Sequence, residues 1–145
     1  MSHRMIPTPL DGDPVEKGAL WLCTVPPSLN NIFFNVKRKG RIKTPLYSAW
    51  LTKCHGELRK QCGWHVPGQT RIRMTYSRVQ TRADLDNLQK PVLDLLVQAG
   101  RIADDRNVVE IRAAFGPVKG TLIEIWSASQ AIPAEQFGAT ARRAA

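Results

Sequence analysis

Residues 82–105, RADLDNLQKPVLDLLVQAGRIADD, decide how this chain is read. The stretch opens on two aspartates one residue apart, Asp84 and Asp86, reaches Lys90, runs through an apolar segment to Gly100 and closes on Asp104 and Asp105. In extended backbone the side-chain period is two, so Asp84 and Asp86 are expected on one face. Adjacent carboxylates repel unless something compensates them, and a divalent cation with oxygen ligands does so. A local reading competes: Asp86 or Asn87 ahead of an apolar run is also what caps a helix N-terminus. The residues alone leave both open. Leu88, Val92, Leu95, Leu96 and Ala99 repeat at helical spacing, a stripe that packs on a sheet, and Gly100 ends it. Pro91 is comfortable only in a first turn, so residues 86–90 are expected as a separate turn before the regular helix.

Upstream, residues 71–79 (RIRMTYSRV) alternate: Ile72, Met74 and Tyr76 face one way, Arg71, Arg73, Thr75 and Ser77 the other. This predicts a half-exposed strand with a basic outer face, linked through Thr81 and Arg82 to Asp84. Residues 45–61 carry Tyr47, Trp50, Leu51, Cys54 and Leu58 at helical spacing, with Pro45 suited to the first helical position. Residues 19–25 (ALWLCTV) read as a buried strand, broken by the rigid turn PPSLNN at 26–31. Downstream, Val109, Ile111, Ala113 and Phe115 alternate with Glu110 and Arg112, GPVKG turns, and residues 121–126 (TLIEIW) return, which predicts a hairpin. Residues 1–17 read as a loose arm, 18–127 as one domain and 128–145 as a tail.

The balance of charge points to a polyanionic partner. Lys and Arg outnumber Asp and Glu by 21 to 12, giving a net charge of +9, which favours nucleic acid. The densest cluster is Lys37, Arg38, Lys39, Arg41 and Lys43 around Gly40, behind Ile32, Phe33 and Phe34, a candidate phosphate-contacting arm. Arg71, Arg73 and Arg82 are further candidates for DNA contact. Within this cationic chain, six of the 12 acidic residues fall between Asp84 and Glu110. That layout suits a metal-dependent nuclease: carboxylates hold Mg²⁺ at the scissile phosphate while cations bind the flanking backbone. No apolar run approaches the roughly 20 residues of a membrane span, and the opening MSHRMIPTPLDGDP lacks the apolar core of a secretory signal. Cys23, Cys54 and Cys62 form no CxxC pair and read as buried small hydrophobes in a cytosolic protein.

The combination DLDNLQK, an amphipathic helix, AG, and a DD pair before VV resembles the RusA family of crossover-junction endodeoxyribonucleases, the Holliday junction resolvases. PPSLNN after a first strand is similar to that family's PPS and Asn pattern. The resemblance implies a small α+β protein with a mixed sheet and two main helices. It also implies a homodimer acting on four-way DNA junctions with Mg²⁺, or Mn²⁺ in its place. By position, Asp84, Asp86 and Asp105 would be the metal-binding catalytic aspartates and Lys90 the essential lysine, with Asp104 a weaker candidate. Left to its own spacing, Lys90 is an i,i+4 partner of Asp86 or Asp94. Two alternatives share the composition: a non-catalytic nucleic-acid-binding protein whose aspartates are caps and surface pairs, and a nuclease for flaps or other branched DNA.

Overall fold

The computed structural model describes residues 9–135. Its centre is a four-stranded mixed sheet built from β2 (Lys17–Leu22), β6 (Thr70–Ser77), β7 (Val108–Gly116) and β8 (Thr121–Ser127), in the order β2-β8-β6-β7. β8 runs antiparallel to both β2 and β6, while β6 and β7 are parallel. A parallel pair needs a long crossover, and residues 82–105 lie within it, so the deciding stretch bridges two neighbouring strands. Two short sheets flank the main one: β1 (Asp13–Pro14) with β5 (Trp64–His65), and the hairpin of β3 (Phe33–Val36) and β4 (Gly40–Lys43).

Both predicted helices form. In α1 (Pro45–Arg59), Thr44 caps the N-terminus by accepting from the Tyr47 amide at 3.2 Å, and Pro45 opens the helix. There its missing N–H costs nothing, because the first turn has no acceptor for it. In α2 (Gln89–Gln98) the buried residues are Pro91, Val92, Leu95 and Leu96. Pro91 sits in the first turn, and a separate 3₁₀ turn precedes the helix, but it spans Leu85–Asn87 rather than the expected 86–90, because Gln89 and Lys90 already belong to α2. Gly100 follows it at φ 72°, where an added Cβ would lie 2.4 Å from the Pro9 carbonyl, so only glycine fits. The apolar faces of both helices meet Leu20 and Leu22 of β2, Ile72, Met74 and Tyr76 of β6, and Ile123 and Ile125 of β8 in one core. The fold is α+β, a single small domain.

Three expectations are corrected. Residues 108–127 form no hairpin: β6 lies between β7 and β8 and pairs with both. Local turn chemistry at GPVKG reads the same in either arrangement, and a strand from 30 residues upstream takes the place between them. Residues 9–17 are no loose arm, since the Asp11 amide donates to the Gly100 carbonyl at 2.8 Å and β1 pairs with β5. Nor is β6 half-exposed; six of its eight residues are buried. The face carrying Arg71 and Arg73 is closed by Glu124 and Trp126 of β8 and by the chain after it, where Ile132 is buried and the Ala128, Pro133 and Glu135 carbonyls accept from these arginines. The remainder of the expected C-terminal tail lies outside the described residues.

Candidate active site

β2 and β6 are both antiparallel to β8, so they point the same way and end at the same edge of the sheet. The turn after β2 and the loop after β6 therefore face each other across a cleft of about 530 Å³. Ser28, Asn30 and Asn31 of PPSLNN line one wall; Arg82, Asp84 and Asn87 line the other. Each wall is fixed locally. Ser28 accepts from the Asn30 amide at 3.3 Å, and Thr44 Oγ1 donates to the Asn31 carbonyl at 2.8 Å, tying the turn to the start of α1. Opposite, the Arg78 guanidinium lies 4.1 Å over the Phe115 ring and donates to the Ala83 carbonyl at 3.1 Å; Thr81 Oγ1 accepts from the Ala83 amide at 3.1 Å. These bonds deliver Asp84 to the cleft on a held loop.

Asp84 stands at the N-cap position of the turn Leu85–Asn87, yet its carboxylate makes no capping bond. Asp86 lies within the turn, and among the described residues neither carboxylate has a hydrogen bond or ion pair; both are exposed. The strand-period reason for their facing together does not apply, because β6 ends at Ser77 and Asp86 is in a turn. Capping does explain Asp104, whose Oδ1 accepts from the Arg106 amide at 2.9 Å and starts the turn Asp105–Asn107. That bond, with the neighbouring Asp105 carboxyl, holds its pKa below the usual carboxylate value.

Lys90 ties α2 to the downstream acidic end of the crossover. Its Nζ lies 3.1 Å from Asp94 Oδ1 and 3.6 Å from Asp105 Oδ2. Burial of its stem opposes the charge, but the bond to Asp94 and the attraction of Asp94 and Asp105 outweigh it and raise the pKa above the ordinary lysine value. The ammonium is therefore a fixed cation. Among the described residues no group of three or more His, Cys, Asp or Glu side chains gathers closely enough to hold a metal ion. The structure therefore does not bring Asp84, Asp86 and Asp105 together as a closed ligand set; what it shows is two exposed carboxylates, Asp84 and Asp86, without partners among the described residues, whose oxygens are the donor type a hard cation takes.

The candidate DNA-contacting residues divide. Lys37, Arg38 and Lys39 are the exposed turn of the β3–β4 hairpin, with Arg38 at φ 72°; Arg41 lies 4.3 Å over the Phe33 ring, and Lys43 is exposed. None of the five is in an ion pair among the described residues. Arg82 is exposed on the cleft wall. Arg71 and Arg73 are committed elsewhere: Arg71 Nη1 lies 2.6 Å from Glu110 Oε1, and Arg73 Nε 2.9 Å from Glu124 Oε1. The Arg73 side chain is 11% exposed and Glu124 fully buried, so Arg73 is withdrawn as a DNA contact. Of the cysteines, only Cys54 is buried, and its thiol is pushed up to about 12 by that burial; Cys23 is half-buried and Cys62 exposed. Sequence reasoning missed Tyr47 as a site residue and gave Asp94 only as a possible helix partner; the signal available was the i,i+4 spacing of Lys90 and Asp94.

A family model places this strongly cationic α+β domain, as a class, among the enzymes that act on DNA. More particularly, the family model of endodeoxyribonuclease RusA matches residues 28–126, more than half of the 145-residue chain, and the protein belongs to that family. A search of the curated proteins found no match. No helix among the described residues is long and apolar enough to cross a membrane.

Proposed function

We propose that the protein is a Mg²⁺-dependent endonuclease, with Mn²⁺ able to substitute, that acts as a homodimer and resolves four-way (Holliday) junctions in recombination and repair. The observation that carries this is the pair of exposed carboxylates Asp84 and Asp86, without partners among the described residues, of which Asp84 lines a cleft that also presents Arg82, while Lys90 is held toward Asp105. A binding protein that used these acids as caps would show Asp84 bonded to the turn it precedes, and that bond is missing. Asp84, Asp86 and Asp105 would hold the ion. When bound, it supplies charge neutralisation at the scissile phosphate and an activated water.

The chain's own residues do the rest. The hairpin cations and Arg82 bind backbone phosphates by charge, independently of sequence. The Lys90 ammonium faces the negative charge that builds on the phosphate as the bond breaks. The Ser28 and Asn31 wall limits what enters opposite Asp84. Gel cleavage of a synthetic four-way junction tests the reading: Asp86→Asn and Asp105→Asn are expected to stop cutting while leaving junction binding intact or tighter, because they remove negative charge near phosphates. Undiminished cutting by both variants refutes it. Faster cutting of flaps than of four-way junctions by the unaltered protein would transfer the same site to other branched DNA.

A further inference from the structure

The Lys90 ammonium is held by more than its two carboxylates. Asp94 takes Lys90 on Oδ1, and its other oxygen, Oδ2, accepts from the Tyr47 hydroxyl at 2.5 Å. Tyr47 is fully buried on α1, its ring meeting Phe33 edge-on at 5.7 Å between centroids and stacking on Trp50 at 6.4 Å. Burial, and then the bond to Asp94, push the phenol's pKa well above its ordinary value, so it stays a proton donor. One carboxylate is thus clamped at both oxygens between a locked ring and a cation.

As a helix-stabilising device this arrangement is wrong twice. Lys90 lies in the first turn of α2, where the helix dipole disfavours a cation. It also precedes its acid, whereas acid before base is the better i,i+4 order. What the pair does achieve is aim, since the ammonium ends 3.6 Å from Asp105 Oδ2. We propose that Tyr47 and Asp94 are positioning residues for Lys90: the Tyr47 phenol orients the Asp94 carboxylate, which holds the Lys90 ammonium facing Asp105 and the phosphate brought beside it. This rests on the junction-nuclease reading for its consequence, but the holding itself can be measured without DNA. Because a misplacement of about 1 Å can cost on the order of a hundredfold in rate, the effect belongs to the chemical step.

The test uses the full chain and the variants Tyr47→Phe, Asp94→Asn, Lys90→Ala and Asp94→Asn with Lys90→Ala. Tyr47→Phe and Asp94→Asn are expected to slow single-turnover cleavage of a four-way junction about tenfold or more. Junction affinity measured in EDTA should stay within about twofold of the parent. In the Lys90→Ala background, Asp94→Asn should add nothing, the signature of a residue acting through another. Independently, competitive acylation read by mass spectrometry should label Lys90 severalfold faster in both single variants while other lysines keep their rates. Unchanged labelling of Lys90, or multiplying losses in the double variant, would overturn the proposal. Tyr47→Phe keeps the ring and decides the matter if Asp94→Asn does not fold. Faster labelling in a protein that leaves every four-way junction intact would sink the junction reading while the holding geometry stood.

Discussion

Asp104 and Asp105 are chemically alike and adjacent, and the backbone gives them different work. Asp104, extended at φ −160°, turns its carboxylate back to the Arg106 amide; Asp105 starts the turn and meets Lys90 instead. A DD pair cannot be divided this way by reading residues, because capping depends on the dihedral angles at the first of them. The same limit left capping by Asp86 or Asn87 open beside metal binding; in the structure the N-cap position falls to Asp84, and its carboxylate makes no cap bond. Losing the Asp104 cap in Asp104→Ala is expected to cost about 1 kcal/mol at pH 7 with junction cleavage retained. The sign with pH follows from the depressed pKa. A carboxyl lower in the folded state stabilises fully above its unfolded value, near 3.8, and that contribution disappears as pH falls through the folded value. The gap between thermal melts of wild type and variant should therefore be full at pH 7 and start to shrink as pH falls below about 4; a gap that widened in acid would contradict the assignment.

Among the elements, β6 and the β3–β4 hairpin both looked like basic surfaces, and the structure sorts them by what covers each. An alternating strand shows which residues share a face, but whether that face meets water depends on the neighbouring strands. Here the neighbours are β8, from 51 positions onward, and residues 128–135. That is also why the β7–β8 connection was misread, since pairing through β6 is non-local. The helices were legible because their caps and stripes are local: Thr44–Pro45 and the buried Val92, Leu95 and Leu96 needed no tertiary information. The sorting predicts opposite phenotypes. Arg73→Ala removes a partner of fully buried Glu124 and should destabilise by about 3 kcal/mol or more, with little change in the salt dependence of DNA binding. Lys37→Ala with Lys39→Ala should leave the melting temperature nearly unchanged. It should also lower the slope of log affinity against log salt by roughly 0.9 for each phosphate that the hairpin no longer neutralises. A stable Arg73→Ala with a reduced salt slope would place the DNA on the other face.

For the whole molecule, the proposed junction cleavage raises the question of how one acidic site per chain would make two cuts. A four-way junction has near two-fold symmetry, so paired incisions need two matched sites related by a two-fold axis, which a C2 dimer supplies and a monomer does not. The charge layout fits that use, because a chain of net charge +9 is drawn to DNA at long range while Asp84 is the one acidic residue lining the cleft among the described residues. A surface for the proposed dimer is not encoded in the periodicities that located the core, since exposed apolar residues such as Val79 and Leu46 carry no pattern. The proposed stoichiometry is open to a direct experiment on a supercoiled plasmid carrying a cruciform. Wild type should convert it to linear product within one binding event. Mixed dimers, formed by refolding wild type with excess Asp86→Asn, should yield nicked circles in place of linear DNA in proportion to the inactive chain. Linear product that fell only as total wild-type concentration fell, with no accumulation of nicks, would mean that each chain completes both cuts alone, and the two-fold arrangement would have to be given up.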